Sequence, residues 1–153
     1  RVGDLPDSSL RARKLTDTTV RMVASTAYLE EHGTPGSIND LAEHNLLHYS
    51  NLSSGNFWKL NNPNGEERQI RAVGQLTVNN GSALRQAAID GLGIASLPDF
   101  IIDGAIDGGQ LVEVLPQSRR DPLGVFAVYP QGRFPQPKVR AFIDHLIEQL
   151  KPE

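Results

Sequence analysis

Two turns in this sequence carry residue types suited to holding an anion: Asn79-Asn80-Gly81 and Ala24-Ser25-Thr26. Each joins a strand-like run to a helix-like run. The first N–H groups of a helix lack intrahelical acceptors, and the helix dipole adds partial positive charge there. A carboxylate or other anion is therefore well held at such an end. Small polar side chains add hydroxyl or amide hydrogen bonds and let a ligand approach the backbone. Ordinary helix capping uses the same residues, and the sequence alone leaves both roles open. Ligands of open α/β sheets sit beyond the carboxyl ends of the strands, where both turns are expected.

Other groupings point to less. His44 and His48 are four apart, a metal-binding spacing on a helix. The chain is expected to switch to strand between them, and no Asp or Glu supplies an evident third ligand. Asp99, Asp103 and Asp107 stand at i, i+4 and i+8 and read as a solvated helix face. Arg11, Arg13, Lys14, Arg119 and Arg120 read as strand-edge and loop charges. Gly91-Leu92-Gly93 approaches a dinucleotide fingerprint, but it follows a helix and precedes a strand, the reverse of what a pyrophosphate loop needs, and position 96 is Ser. No G-x-S-x-G elbow, Walker loop or H-E-x-x-H occurs. No catalytic residue, metal site or cofactor is expected, and the chain does not read as an enzyme.

The elements that must position these residues alternate between strand and helix. Thr19–Ala24 reads as a strand, and Ser25 or Thr26 caps a short helix stopped by Gly33, with Pro35 beyond. Ser37-Ile38-Asn39-Asp40 resembles a capping box ahead of Leu41. Leu46–Ser50 and Phe57–Leu60 read as strands, and Asn62-Pro63-Asn64-Gly65 as a hairpin turn. Arg68–Val78 is expected to be one long strand, followed by a helix over Ser82–Asp90 and a buried strand over Ile94–Leu97. A helix is expected over Asp99–Ile106, then strands over Leu111–Leu115 and Val125–Tyr129. Pro137 suits the first position of a last helix. There Val139, Phe142, Ile143, Leu146, Ile147 and Leu150 recur at helical spacing as an apolar stripe. This alternation predicts an α/β sheet with helices on its faces.

Composition fits that reading. The chain has 153 residues, 39% of them hydrophobic, no Cys and a formal net charge of −3. A disulfide framework, a Cys–zinc site and a thiol nucleophile are excluded. No apolar run is long enough for a transmembrane helix, and a mildly acidic chain does not look like a nucleic-acid surface. No signal peptide is visible. Arg1-Val2-Gly3-Asp4-Leu5-Pro6-Asp7 reads as a strand end running into a turn, as in an interior-to-C-terminal piece of a longer protein.

In order, the segments resemble the C-terminal effector-binding part of LysR-type transcriptional regulators. The resemblance runs through Arg1–Leu10, Val23–Pro35, Asp40–Leu47, Asn79–Ala88, Gly91–Pro98, Ala127–Pro130 and Pro137–Leu146, essentially the whole chain. It implies a periplasmic-binding-protein-like α/β effector domain of two subdomains joined by crossing strands. Residues 1–20 would be a remnant of the first subdomain and the start of a crossing strand. Residues 21–123 would form the second subdomain, and 124–153 the return strand and a C-terminal helix packing on the first. The helix-turn-helix and most of the first subdomain would lie outside these residues, so DNA would be reached only through another part of the protein. A small-molecule effector, with a lean toward an anionic one, would sit between subdomains, lined on this side by Ser25, Ser50, Trp58, Asn80, Gly81 and Pro98. Ser50 and Trp58 rest on the resemblance alone. The resemblance also implies a cytoplasmic homodimer or homotetramer with no membrane association. An extracytoplasmic solute-binding protein of the same fold is the alternative. The apolar stripe of the last helix is expected to pack on the remnant strands, on another copy, or on residues outside this sequence.

Overall fold

The structure is a computed structural model that describes residues 1–3, 10–52, 54–130 and 136–150. The turn expected over Asp4–Asp7 lies outside them. The chain divides into two compact units, Thr19–Asp121 and the paired segments Arg1–Thr18 and Pro122–Glu153.

In the Thr19–Asp121 unit, the first strand, β2 (Val20–Ala24), leads to α1 (Thr26–His32). Ser25 Oγ accepts the Tyr28 N–H at 3.2 Å, and the helix stops at Gly33, whose φ of 85° is open to a residue without Cβ. A 3-10 turn over Ile38–Glu43 follows. The Asp40 carboxylate accepts the N–H groups of Ser37 and Gly36 at 2.9 and 3.0 Å, which fixes the turn's start and holds its carboxyl below the usual range. β3 (Leu46–Tyr49) then enters the sheet. β4 (Phe57–Asn61) and β5 (Glu67–Arg71) form the hairpin expected around Asn64-Gly65, with Gly65 at φ 83°.

The expected single strand over Arg68–Val78 is two strands. β5 belongs to the hairpin, while β6 (Thr77–Val78) pairs in parallel with β3. Between them the chain passes hard against β3. A Cβ on Gly74 would stand 2.2 Å from the Leu46 carbonyl oxygen, a closeness only glycine permits. α2 (Gly81–Ile89) and β7 (Ile94–Pro98) follow as read. α3 is shorter than expected, Asp99–Ile102, because Asp103 turns left-handed at φ 44° and Gly104 continues the turn at φ 76°. Asp99, Asp103 and Asp107 therefore do not share one helix face. β8 (Val112–Val114) ends the sheet, whose order is β6-β3-β7-β2-β8.

The period-two alternation of the strands feeds two cores. Met22 and Ala24 of β2, Leu46 of β3 and Ile94 of β7 pack with Tyr28, Leu41, Trp58 and Leu60 on one face. Val23, Leu47, Ala95 and Leu97 pack with Leu84, Ala87 and Ala88 of α2 on the other.

In the other unit, β1 (Leu10–Thr18) pairs antiparallel with β9 (Leu123–Pro130), with a register shift between Lys14 and Thr16. β1 and β2, separated only by Thr19, thus belong to two different sheets. α4 (Pro137–Gln149) starts on Pro137 as read and packs on β1, with Arg13 and Asp144 in a 2.7 Å ion pair. Of its stripe, Ile143 is buried, while Phe142 is 62% exposed.

Candidate functional site

Three parallel strands end at one edge of the five-stranded sheet, and a loop or helix leaves from each end. β3 runs out into Ser50, whose N–H donates to the Val78 carbonyl at 2.9 Å. β6 runs out through Asn79 and Asn80 into α2. The Asn80 side chain accepts the Ala83 N–H at 2.9 Å, and its carbonyl accepts from Leu84 at 3.1 Å. Helix geometry leaves the N–H groups of Gly81 and Ser82 pointing out beyond the strands. β7 ends on Pro98, the residue before α3. Ser50 and Asn80 are exposed there, and Gly81 and Pro98 half-buried.

Gly81 has a packing reason for lacking a side chain. A Cβ there would stand 3.1 Å from Ile101 Cδ1. The glycine lets α2 sit close to α3, independently of any ligand.

Ser25 does not join this edge. β2 runs antiparallel to β7, with Val20 opposite Pro98 and Val23 opposite Ala95. The carboxyl end of β2 therefore lies at the opposite edge, beside the start of β3 and β7. Ser25 is buried there as the cap of α1, its hydroxyl 3.5 Å from where a Cβ on Gly91 would stand. Trp58 also leaves the set. It lies on the inner face of the β4–β5 hairpin, 1% exposed, and its ring is part of the core.

The charges nearest this edge are tied to one another. Arg21 Nε reaches Asp99 Oδ1 at 2.7 Å and Arg21 Nη1 reaches Glu113 Oε2 at 3.1 Å, while Arg119 Nε reaches Glu113 Oε1 at 2.8 Å. The hydrogen bond to Asp99, opposed by partial burial, raises the Arg21 pKa. This chain of charges clamps the first turn of α3 to β2 and β8. No local pattern marks it, because Arg21 and its partners are 78 and 92 residues apart.

His48 also takes a position that its spacing from His44 does not indicate. It is buried on β3, its Nδ1 has no hydrogen-bond partner among the described residues, and burial pushes its pKa down. Strand alternation was the available signal, since His48 shares a face with the core residue Leu46. His44 lies outside the strand, with Nδ1 3.1 Å from the Tyr28 hydroxyl. Among the described residues, no group of three or more His, Cys, Asp or Glu is placed to hold a metal ion. No helix is long and apolar enough to cross a membrane.

The α/β units and their strand-end turns define a periplasmic-binding-protein-like effector domain, as seen in regulatory domains of solved relatives. The sequence profile of the LysR substrate binding domain matches residues 1–151, and the chain belongs to that family. It is 38% identical over 151 residues to the HTH-type transcriptional regulator CrgA of Neisseria meningitidis, covering 98% of this chain and 50% of that one. The regulatory domain of CrgA superposes with a TM-score of 0.80 at 35% identity, covering 98% of this chain and 74% of that one. The full-length Vibrio cholerae virulence activator AphB matches at TM-score 0.82 and 34% identity, over 97% of this chain and 50% of that one. The chain thus spans about half the length of the curated relatives it matches.

Proposed function

We propose that this chain is the effector-sensing part of a LysR-type transcriptional regulator, in which a small organic molecule, preferably an anion, binds at the strand-end edge formed by Ser50, Asn80, Gly81 and Pro98. The observation that carries this reading is the open N-terminus of α2 beyond the ends of the parallel strands β3 and β6, flanked by exposed Ser50 and Asn80. Family membership supports the regulatory role, and the names of the relatives support transcription as its output.

In this reading the two compact units are the second effector subdomain and a portion of the first. Residues 1–20 and 124–153 are assigned to the first subdomain and 21–123 to the second, and the split into compact units at Thr18/Thr19 and Asp121/Pro122 supports this assignment. DNA contact belongs to a segment outside these residues, and the protein works in the cytoplasm as a homodimer or homotetramer. The exposed Phe142 on α4 and Leu150 just past its end support cover by further chain or by another copy. Effector binding acts by favouring one arrangement of the protein over another, which needs unequal affinity for the two.

The test is a thermal-shift screen of the full-length protein against small organic acids, with hits carried into DNA-binding assays on its own upstream region. A hit that alters DNA binding, and that Asn80→Asp weakens, is expected. A protein that binds no DNA under any condition overturns the regulatory role. Hits indifferent to Asn80→Asp overturn the site.

A further inference from the structure

A groove of about 360 Å³ opens at the other end of β3 from Ser50, within the Thr19–Asp121 unit. Its walls are apolar: Leu41 and Leu46, both buried, with half-buried Ile70 and with Val73, which is 63% exposed. Three polar side chains belong to the lining, Asn39, His44 and Arg71, and of these His44 and Arg71 can supply donors to an anion through a ring N–H and a guanidinium.

The Tyr28 hydroxyl engages His44 Nδ1 and leaves Nε2 for a ligand. The Tyr28 hydroxyl oxygen accepts the Asn45 N–H at 3.0 Å, so its own proton is free to be donated to His44 Nδ1, 3.1 Å away. With Nδ1 accepting, the ring's proton sits on Nε2. Burial, the largest influence, together with nearby His32 lowers the His44 pKa, against opposing effects of Asp40 and Glu43. Arg71 ends β5 with an exposed guanidinium that makes no hydrogen bond or ion pair among the described residues, whereas Arg68 of the same strand pairs with Glu66. No Asp or Glu lines the groove. Asp40, on the adjoining 3-10 turn, already accepts from two backbone N–H groups.

Donors among the lining side chains and aliphatic walls beside them match one ligand chemistry. The geometry points to a second small-molecule site here, taking a carboxylate with a compact saturated body: the carboxylate on Arg71 and His44 Nε2–H, the hydrocarbon on Leu41, Leu46, Ile70 and Val73. The volume falls in the range of small-ligand pockets, and the mixture of many apolar groups with few polar ones is their usual make-up. Arginine suits the role because its planar fork meets both carboxylate oxygens. The site lies at the edge of the sheet opposite Ser50, Asn80 and Pro98 and does not depend on the proposed effector site.

The probe is cyclohexanecarboxylate, titrated into the full-length protein and followed by methyl and histidine-ring NMR. Saturable shifts are expected at Leu46, Ile70, Val73 and His44. Cyclohexanecarboxamide, isosteric but neutral, should bind about tenfold more weakly or worse, since a hydrogen bond to a charged group contributes that much. Acetate, which lacks the body, should give no saturable shift at these methyls. Arg71→Gln should weaken binding by a similar factor, Arg71→Lys by less, and Asn80→Asp not at all. Arg71 is exposed, so these variants fold as the parent does, which circular dichroism checks. Equal binding of acid and amide, unchanged binding in Arg71→Gln, or no saturable shift at the groove methyls would overturn the proposal.

Discussion

Ser25 and Pro98 stand at opposite edges of one sheet. The strand leading to Ser25 runs antiparallel to the strand ending in Pro98, with Val20 paired to Pro98. Both residues precede helices, yet only Pro98 shares an edge with Asn80 and Ser50. The two N-terminal caps, Ser25 on α1 and Asn80 on α2, therefore have separable consequences.

Ser25→Ala should cost about 1 kcal/mol, the usual loss of a side-chain cap, and leave any effector response unchanged. Urea unfolding reads the first and DNA binding with and without an effector reads the second. An altered response in a folded Ser25→Ala protein would return Ser25 to the site.

At Asn80, Ala and Asp substitutions part ways. Asn80→Ala removes the 2.9 Å bond to the Ala83 N–H and should lose about 1 kcal/mol. Asn80→Asp keeps an acceptor there and adds charge at the positive end of the helix, so stability should hold or rise. The same charge should repel an anionic effector. Thermal midpoints with and without an anionic screening hit distinguish these outcomes.

Gly81 tests packing before it tests ligand approach. A Cβ there meets Ile101 Cδ1 at 3.1 Å, the tip of a side chain that can move. Gly81→Ala should stay within about 1 kcal/mol of the parent, with the helix gaining what the contact loses. Gly81→Val should lose about 1–3 kcal/mol by overpacking. Trimming Ile101 to Ala in the same chain should recover part of that, and a double-mutant cycle measures the coupling.

Gly93 offers no such relief. Its Cβ would stand 2.2 Å from the Asn45 carbonyl oxygen, a backbone atom. Gly93→Ala should cost about 3 kcal/mol or more, at or above the top of the overpacking range, visible as a lower urea midpoint. A parent-like midpoint would show that β3 and β7 separate more easily than their pairing suggests.

Acid should destabilise the Thr19–Asp121 unit partly through His48. Its folded pKa lies below the unfolded value because burial disfavours the charged ring. The unfolded chain thus binds more protons between the two values. Stability is fully present above the unfolded pKa of about 6.5 and is lost as pH falls below it toward the folded value. His48→Leu should flatten this acid limb in urea unfolding measured across that range. A residual slope should remain from His44, whose pKa is lowered in the same direction.

What the sequence determined by itself was local. The caps Ser25 and Asn80, the Asn64-Gly65 turn, the start of α4 on Pro137 and the alternation in β2 and β7 depend on residues within a few positions of one another. Their backbone preferences act before any long-range contact forms. Tertiary structure decided the rest. Period-two alternation tells which face a side chain takes, and on that ground Trp58 and Leu60 share a face. It does not tell a strand's direction, its neighbours, or what covers its face. The reversal of β2 removed Ser25 from the candidate edge, and the hairpin closing over the core removed Trp58. The clamp from Asp99 through Arg21 and Glu113 to Arg119 joins charges from distant segments. Strand order is set by how the whole set of apolar faces is buried, and no short stretch of sequence contains that sum.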